Sequence, residues 1–231
     1  SLLLKSLASF KGKVTMSKVK VWDGFIRSFH WLLVAAIATL YFSAEEGMLE
    51  LHFTAGYFTL ALIITRLVWG IIGSKTAKLS ALIHSPVAAI KSFTSNEHKA
   101  GHGAAGSYMV IAFFALLIVQ LTSGLMTSDD ILTDGPLVAH VSSDTVEFAG
   151  WLHHLNFDIL LYAIVLHVLA IVIYRIKGKN LVKPMLTGNS EQVAVTEPVT
   201  KSPLIAFVIF AVCLVVLFTT WGAEPLSYLL G

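Results

Sequence analysis

The sequence predicts an all-α, polytopic transmembrane four-helix bundle with a fifth transmembrane helix beside it. Three observations carry that expectation. Apolar residues make up 56% of the 231 residues and charged residues 13%, about half the charged share of an ordinary soluble domain. The mean hydropathy is +0.78. Five stretches are each long enough to cross a hydrocarbon core of about 30 Å, which takes about 20 mostly apolar residues in helical form.

The stretches are 25–42, 51–72, 105–126, 151–174 and 204–221. In lipid the backbone must satisfy its own hydrogen bonds, and none of the five alternates as a barrel strand does, so they are read as helices. Leu2, Leu3 and Leu4 run straight into Lys5, so no apolar signal-peptide core forms. Met16 offers an alternative start, the residues before it then being an upstream extension. The expected divisions are a cytoplasmic N-terminal extension (1–18), the four-helix unit (19–190), a polar cytoplasmic linker (191–202) and the fifth helix with a short outer tail (203–231). Span five has no interior polar residue beyond its threonines and Cys213, and reads as a lipid-facing addition. Cys213 is the single cysteine, which excludes a disulfide framework or a multi-cysteine metal site within one chain.

Charge sets the orientation. All 16 lysines and arginines precede or begin span one, lie from the last turns of span two to the start of span three, or lie between spans four and five. The loop after span one carries Glu45, Glu46 and Glu50, and the loop after span three carries Asp129, Asp130, Asp134, Asp144 and Glu147, with no basic residue in either. Positive loops stay in the cytoplasm, so the N-terminus is expected inside and the C-terminus outside. Trp22, Trp69, Trp151 and Trp221 fall near span ends, where interfacial tryptophans gather. No basic patch interleaved with aromatics sits on a soluble domain, so nucleic acid is not an expected partner.

Ionisable residues inside a span are costly and usually functional. Four of the nine histidines fall in or at the mouths of spans. His153 and His167 are 14 residues apart on span four, so both leave one face about 21 Å apart along the axis, while His154 points elsewhere. Span one starts inside, which brings His30 to the depth of His167. Span two starts outside, which brings His52 to the depth of His153. Two stacked pairs of facing histidines are what two bis-histidine haems require. The bundle is therefore expected to hold two haems, the outer between His52 and His153, the inner between His30 and His167. Gly56, Ala163, Ala170, Gly106 and Gly124 leave room for a flat macrocycle. Interfacial or helix-bonding histidines are the plainer alternative for any one of the four. A metal transporter would want more intramembrane carboxylate than Asp158 alone.

At these residues the chain resembles the bacterial cytochrome b561 family, whose relatives include the b-type cytochrome subunits of nickel–iron hydrogenases. The likeness rests on Arg27 with His30-Trp31, His52 with Gly56 and Arg66-Leu67-Val68-Trp69-Gly70, and Gly101-His102-Gly103. It continues through Asp129-Asp130 with Gly135-Pro136-Leu137, Leu152-His153, Leu166-His167-Val168, and Tyr174-Arg175 by way of Asn180-Leu181-Val182 to Thr187-Gly188. It covers residues 19–190. The resemblance implies four core helices, two haems b, the same four histidine ligands, and exchange of electrons with the quinone pool and with a partner redox protein in the bacterial inner membrane. A bound quinone is a further candidate. The chain departs from the family in its fifth span, and in having His154 and Asp158 where Glu and Asn are more usual. These two share a face. A proton relay near the outer haem is one reading of them, and an interhelical hydrogen bond the favoured one.

Arg66 and Arg27 each have two readings, pairing with a haem propionate or reaching to lipid headgroups. His102 either touches a propionate or quinone or is solvated. His84, His98 and His140 lie in loops. Walker-type, dinucleotide, Gly-x-Ser-x-Gly and zinc-protease motifs do not occur. The expected function is electron transfer between quinone or quinol and a partner such as a periplasmic cytochrome, docked on the acidic outer loops. The alternatives are a stand-alone oxidoreductase such as a superoxide:quinone oxidoreductase, and a haem-free membrane anchor or transporter.

Overall fold

The computed structural model describes residues 16–85, 87, 104–129, 133–193 and 201–230. Strand β1 (Met16–Lys20) is followed by α1 (Gly24–Glu45), α2 (Leu49–Ile72), α3 (Ala104–Gly124), α4 (Ser143–Ile176), α5 (Val182–Thr187), β2 (Asn189–Val193), α6 (Leu204–Leu217) and α7 (Ala223–Leu230). Among the described residues five helices are long and apolar enough to cross a membrane: α1, α2, α3, α4, and α6 continued into α7.

Local chemistry explains the boundaries. Asp23 caps α1, its Oδ1 accepting the Ile26 amide at 2.9 Å. Beyond Glu45 the chain turns at Gly47, whose φ of 66° lies in the left-handed region open to glycine, and re-enters a helix at once. Glu50 lies in the first turn of α2, where the helix dipole favours a negative charge. Ser142 caps α4, accepting the Thr145 amide.

The helices pair as two antiparallel hairpins, α1 with α2 and α3 with α4, and the two hairpins meet through side chains more than through close backbone approach, as where Tyr41 stacks on Phe157 at 5.9 Å. Helix α6 packs chiefly on α2. Apolar burial does not drive helices together in lipid, so shape must do it. Here Phe58 meets Phe210 edge-on at 5.4 Å and Tyr57 meets Phe218 at 6.3 Å. Each such aromatic pair contributes about 0.5–1.5 kcal/mol. The antiparallel order gathers Glu45, Glu46, Glu50, Asp134, Asp144 and Glu147 at one end, the acidic end. Arg27, Arg66, Lys75, Lys78, Arg175 and Lys201 lie toward the other, the basic end. There Lys201 Nζ donates to the Ile72 carbonyl at 2.6 Å and fastens α6 to α2.

Four features differ from the sequence reading. Helix α4 has 34 residues and begins at Ser143 rather than near Trp151. It is about 51 Å long and overreaches the hydrocarbon core toward the acidic end. The expected short outer tail is instead helical, because a π turn (Phe218–Gly222) carries α6 into α7 without a break. Parts of the expected extension and linker pair as an antiparallel sheet, from Met16 opposite Val193 to Lys20 opposite Asn189. Of the remainder, residues 1–15 and 194–200 lie outside the described residues. Finally, Trp69 and Trp22 are not interfacial. Both are buried, and the Trp69 indole N–H donates to Asp23 Oδ2 at 3.0 Å.

Candidate functional site: two histidine pairs

At the acidic end the first residues of α2 bring His52 beside the last turns of α1. Its Nδ1 lies 3.0 Å from the Leu40 carbonyl oxygen and 3.3 Å from Ser43 Oγ. The other hairpin repeats the arrangement. Nδ1 of His153, on α4, lies 3.0 Å from the Gln120 carbonyl oxygen and 3.3 Å from Ser123 Oγ. A carbonyl oxygen only accepts, so each Nδ1 carries the hydrogen and each Nε2 keeps its lone pair. Neither Nε2 has a hydrogen-bond partner among the described residues. The two rings face each other across the hairpins, 6.3 Å between centroids at 73°.

Neighbouring residues hold this geometry. Buried Asn156, one turn past His153, donates to the Leu116 carbonyl at 2.9 Å and to Gln120 Oε1 at 2.7 Å, which locks α4 to α3 where His153 bonds. Gly124 makes room for the imidazole, since a Cβ there would stand 2.8 Å from His153 Cε1. The loop after α3 folds back over its end, with Leu137 N–H donating to the Leu125 carbonyl at 2.9 Å and Gly135 N–H to Thr127 at 2.8 Å. At Gly56, one turn below His52, an added Cβ would meet nothing within 4 Å.

At the basic end His30 and His167 approach closely enough to interact electrostatically. His30 Nδ1 is buried without a hydrogen-bond partner among the described residues. The Trp31 ring stands edge-on to His30 at 5.0 Å, and Phe113 edge-on to His167 at 5.6 Å. Arg66 does not reach to headgroups. It is 4% exposed, its guanidinium 6.0 Å from the Phe29 ring centre and 5.4 Å from that of Phe114, and its Nη1 is buried with no hydrogen-bond partner among the described residues. Cation–π contact offsets only part of the desolvation of such a charge. Asp23 interacts with it electrostatically, yet both Asp23 oxygens already accept other hydrogens.

The remaining candidates fall elsewhere. Arg27 donates from Nη1 to the Leu186 carbonyl of α5 at 2.7 Å, where a cation suits a helix C-terminus. His102 and His98 lie outside the described residues. His154 and Asp158 are exposed on α4, and neither makes an interhelical hydrogen bond among the described residues. His84 is tied to its own loop through the Leu82 carbonyl, and His140 is exposed. The carbonyl and hydroxyl acceptors of His52 and His153, and the lock at Asn156, escape sequence reasoning. The available signal is a serine three residues after the accepting carbonyl in each hairpin, Leu40 with Ser43 and Gln120 with Ser123. Among the described residues no three His, Cys, Asp or Glu side chains converge.

A family model described as prokaryotic cytochrome b561 matches residues 21–188. No curated protein and no solved structure matches the chain.

Proposed function

The chain belongs to the prokaryotic cytochrome b561 family, and from that premise we propose that it holds two stacked haems b and carries electrons through them between the quinone pool and a partner redox protein. Family membership and five membrane-crossing helices make it a multi-pass bacterial membrane protein with b-type haem and an electron-transfer role. The finer reading rests above all on the facing of His52 and His153. Two imidazoles on opposite sides of one metal, each bonded at about 2.0 Å, stand about 6 Å apart centre to centre. The observed 6.3 Å fits that need. So do the two Nε2 lone pairs, fixed by hydrogen bonds at Nδ1 as ligand histidines generally are.

His52 and His153 then hold the outer haem, and His30 and His167 the inner. The wide backbone spacing between the hairpins leaves the macrocycles their space. Haem supplies an iron that gains or loses one electron. The chain does the rest. It orients the ring nitrogens, excludes water with Leu117 and Leu160, and offers the buried Arg66 as a counter-charge to a propionate of the inner haem. Positive loops put the basic end in the cytoplasm and the acidic end in the periplasm of the inner membrane. The acidic loops suit a basic or haem-bearing periplasmic partner. A groove of about 560 Å³ lined by Arg27, Ser28, Trp31 and Met185 adjoins His30 through Trp31 and suits a quinone ring.

A reduced-minus-oxidised spectrum of the purified chain, with its haem-to-protein ratio, tests the reading. Two low-spin haems b per chain are expected. A colourless protein, made with ample haem, returns the histidines to structural roles.

A further inference from the structure

The two ends hold their histidines differently. At the acidic end both Nδ1 hydrogens are bonded to carbonyl oxygens at 3.0 Å, which raises the basicity of each ring toward a metal on Nε2. At the basic end His30 Nδ1 is buried and has no hydrogen-bond partner among the described residues. A cation also lies there. Arg66 sits between Phe29, the residue before His30, and Phe114, the residue after the Phe113 that contacts His167. It makes no hydrogen bond among the described residues, and its acidic neighbour Asp23 is committed to the Ile26 amide and the Trp69 indole.

Both differences act in one direction. Stronger donation by the ligands stabilises the oxidised, more positive state of the outer site. A fixed positive charge away from water stabilises an added electron at the inner site. We propose that Arg66 gives the inner haem the higher reduction potential, so that electrons run from the acidic end to the basic end. This rests on the two-haem reading above. In each passage a one-electron donor at the acidic face loses one electron. Two passages, with two protons, reduce one quinone to quinol at the basic end.

Redox titration of the full chain in detergent, followed at the haem bands, tests the assignment. The wild-type protein titrates in two one-electron steps. Arg66→Gln is expected to weaken reduction in the higher step at least tenfold, 59 mV for one electron, and to leave the lower step in place. Asp23→Asn keeps a helix-capping side chain but removes the opposing charge, so the higher step moves up. A shift confined to the lower step, or a higher step that moves less than tenfold in Arg66→Gln, overturns the proposal. Should Arg66→Gln not retain both haems, Asp23→Asn decides alone, and an unmoved higher step refutes it. A wild-type chain with fewer than two haems fails the underlying reading instead, before any variant is compared.

Discussion

His52 and His153 are oriented by the same device on two different hairpins. Each imidazole gives its Nδ1 hydrogen to a carbonyl oxygen 3.0 Å away near the end of the preceding helix, with a serine hydroxyl at 3.3 Å, and the two rings stand 6.3 Å apart. This relation makes the first prediction pairwise. His52→Ala and His153→Ala should each halve the haem-to-protein ratio by removing the same haem. The double variant should lose no more than either alone. A double variant devoid of haem would contradict the pairing.

Gly124 and Gly150 supply a matched contrast. A methyl group at Gly124 would stand 2.8 Å from His153 Cε1 and 3.1 Å from its Nδ1, whereas at Gly150 nothing lies within 4 Å. Gly124→Ala is expected to perturb or lose the outer haem while the helices persist by circular dichroism, and Gly150→Ala to keep a wild-type spectrum. Equal spectra from the two would show that the His153 ring has freedom the structure denies it.

Asn156 is buried and bonded twice across the α3–α4 interface. Asn156→Leu strands Gln120 Oε1 and the Leu116 carbonyl away from water, a loss of about 1–3 kcal/mol. Thermal unfolding in detergent should register it as a lower midpoint. An unchanged midpoint would mean that Gln120 finds another donor.

Gly188 has a φ of 82°, and a Cβ there would stand 2.9 Å from the Trp22 carbonyl oxygen. Its own carbonyl accepts the amides of Val21 at 2.8 Å and Trp22 at 3.1 Å. Gly188→Ala should therefore cost about 1 kcal/mol or more and speed hydrogen exchange at those two amides. Protection equal to wild type there would refute the strain argument.

Hydropathy made the membrane architecture legible because a span announces itself by length and composition alone. Histidine depth was legible for a related reason, since helix rise and span direction are fixed once the spans are known. His52 and His153 come out at one depth by that arithmetic, and their rings do meet. What was not legible depends on how helices are rotated against each other. The bonds from His52 to Leu40 and from His153 to Gln120 end on backbone oxygens, which every residue type carries. Asn156 looked like any polar residue on α4 until its partners were in view. Arg66 had two readings because spacing gives its depth but not its burial. The pairing of β1 with β2 joins segments far apart in the sequence and of no marked apolar pattern, and Trp69 looked interfacial because Asp23, its partner, is 46 residues away.

The repeated histidine clamp also bears on how the protein is assembled. Each clamp is closed within one hairpin, and the hairpins meet through side chains more than through close backbone approach. A hairpin can therefore leave the insertion machinery with its metal-facing nitrogen already aimed, before its counterpart exists. On the proposed reading, haem would then join two prefabricated halves and, together with side-chain contacts such as Tyr41 on Phe157 and Arg66 on Phe114, complete the tertiary structure. Cells short of haem should accumulate this chain as two tethered hairpins that quality-control proteases can part, so that the supply of cofactor sets the lifetime of the polypeptide.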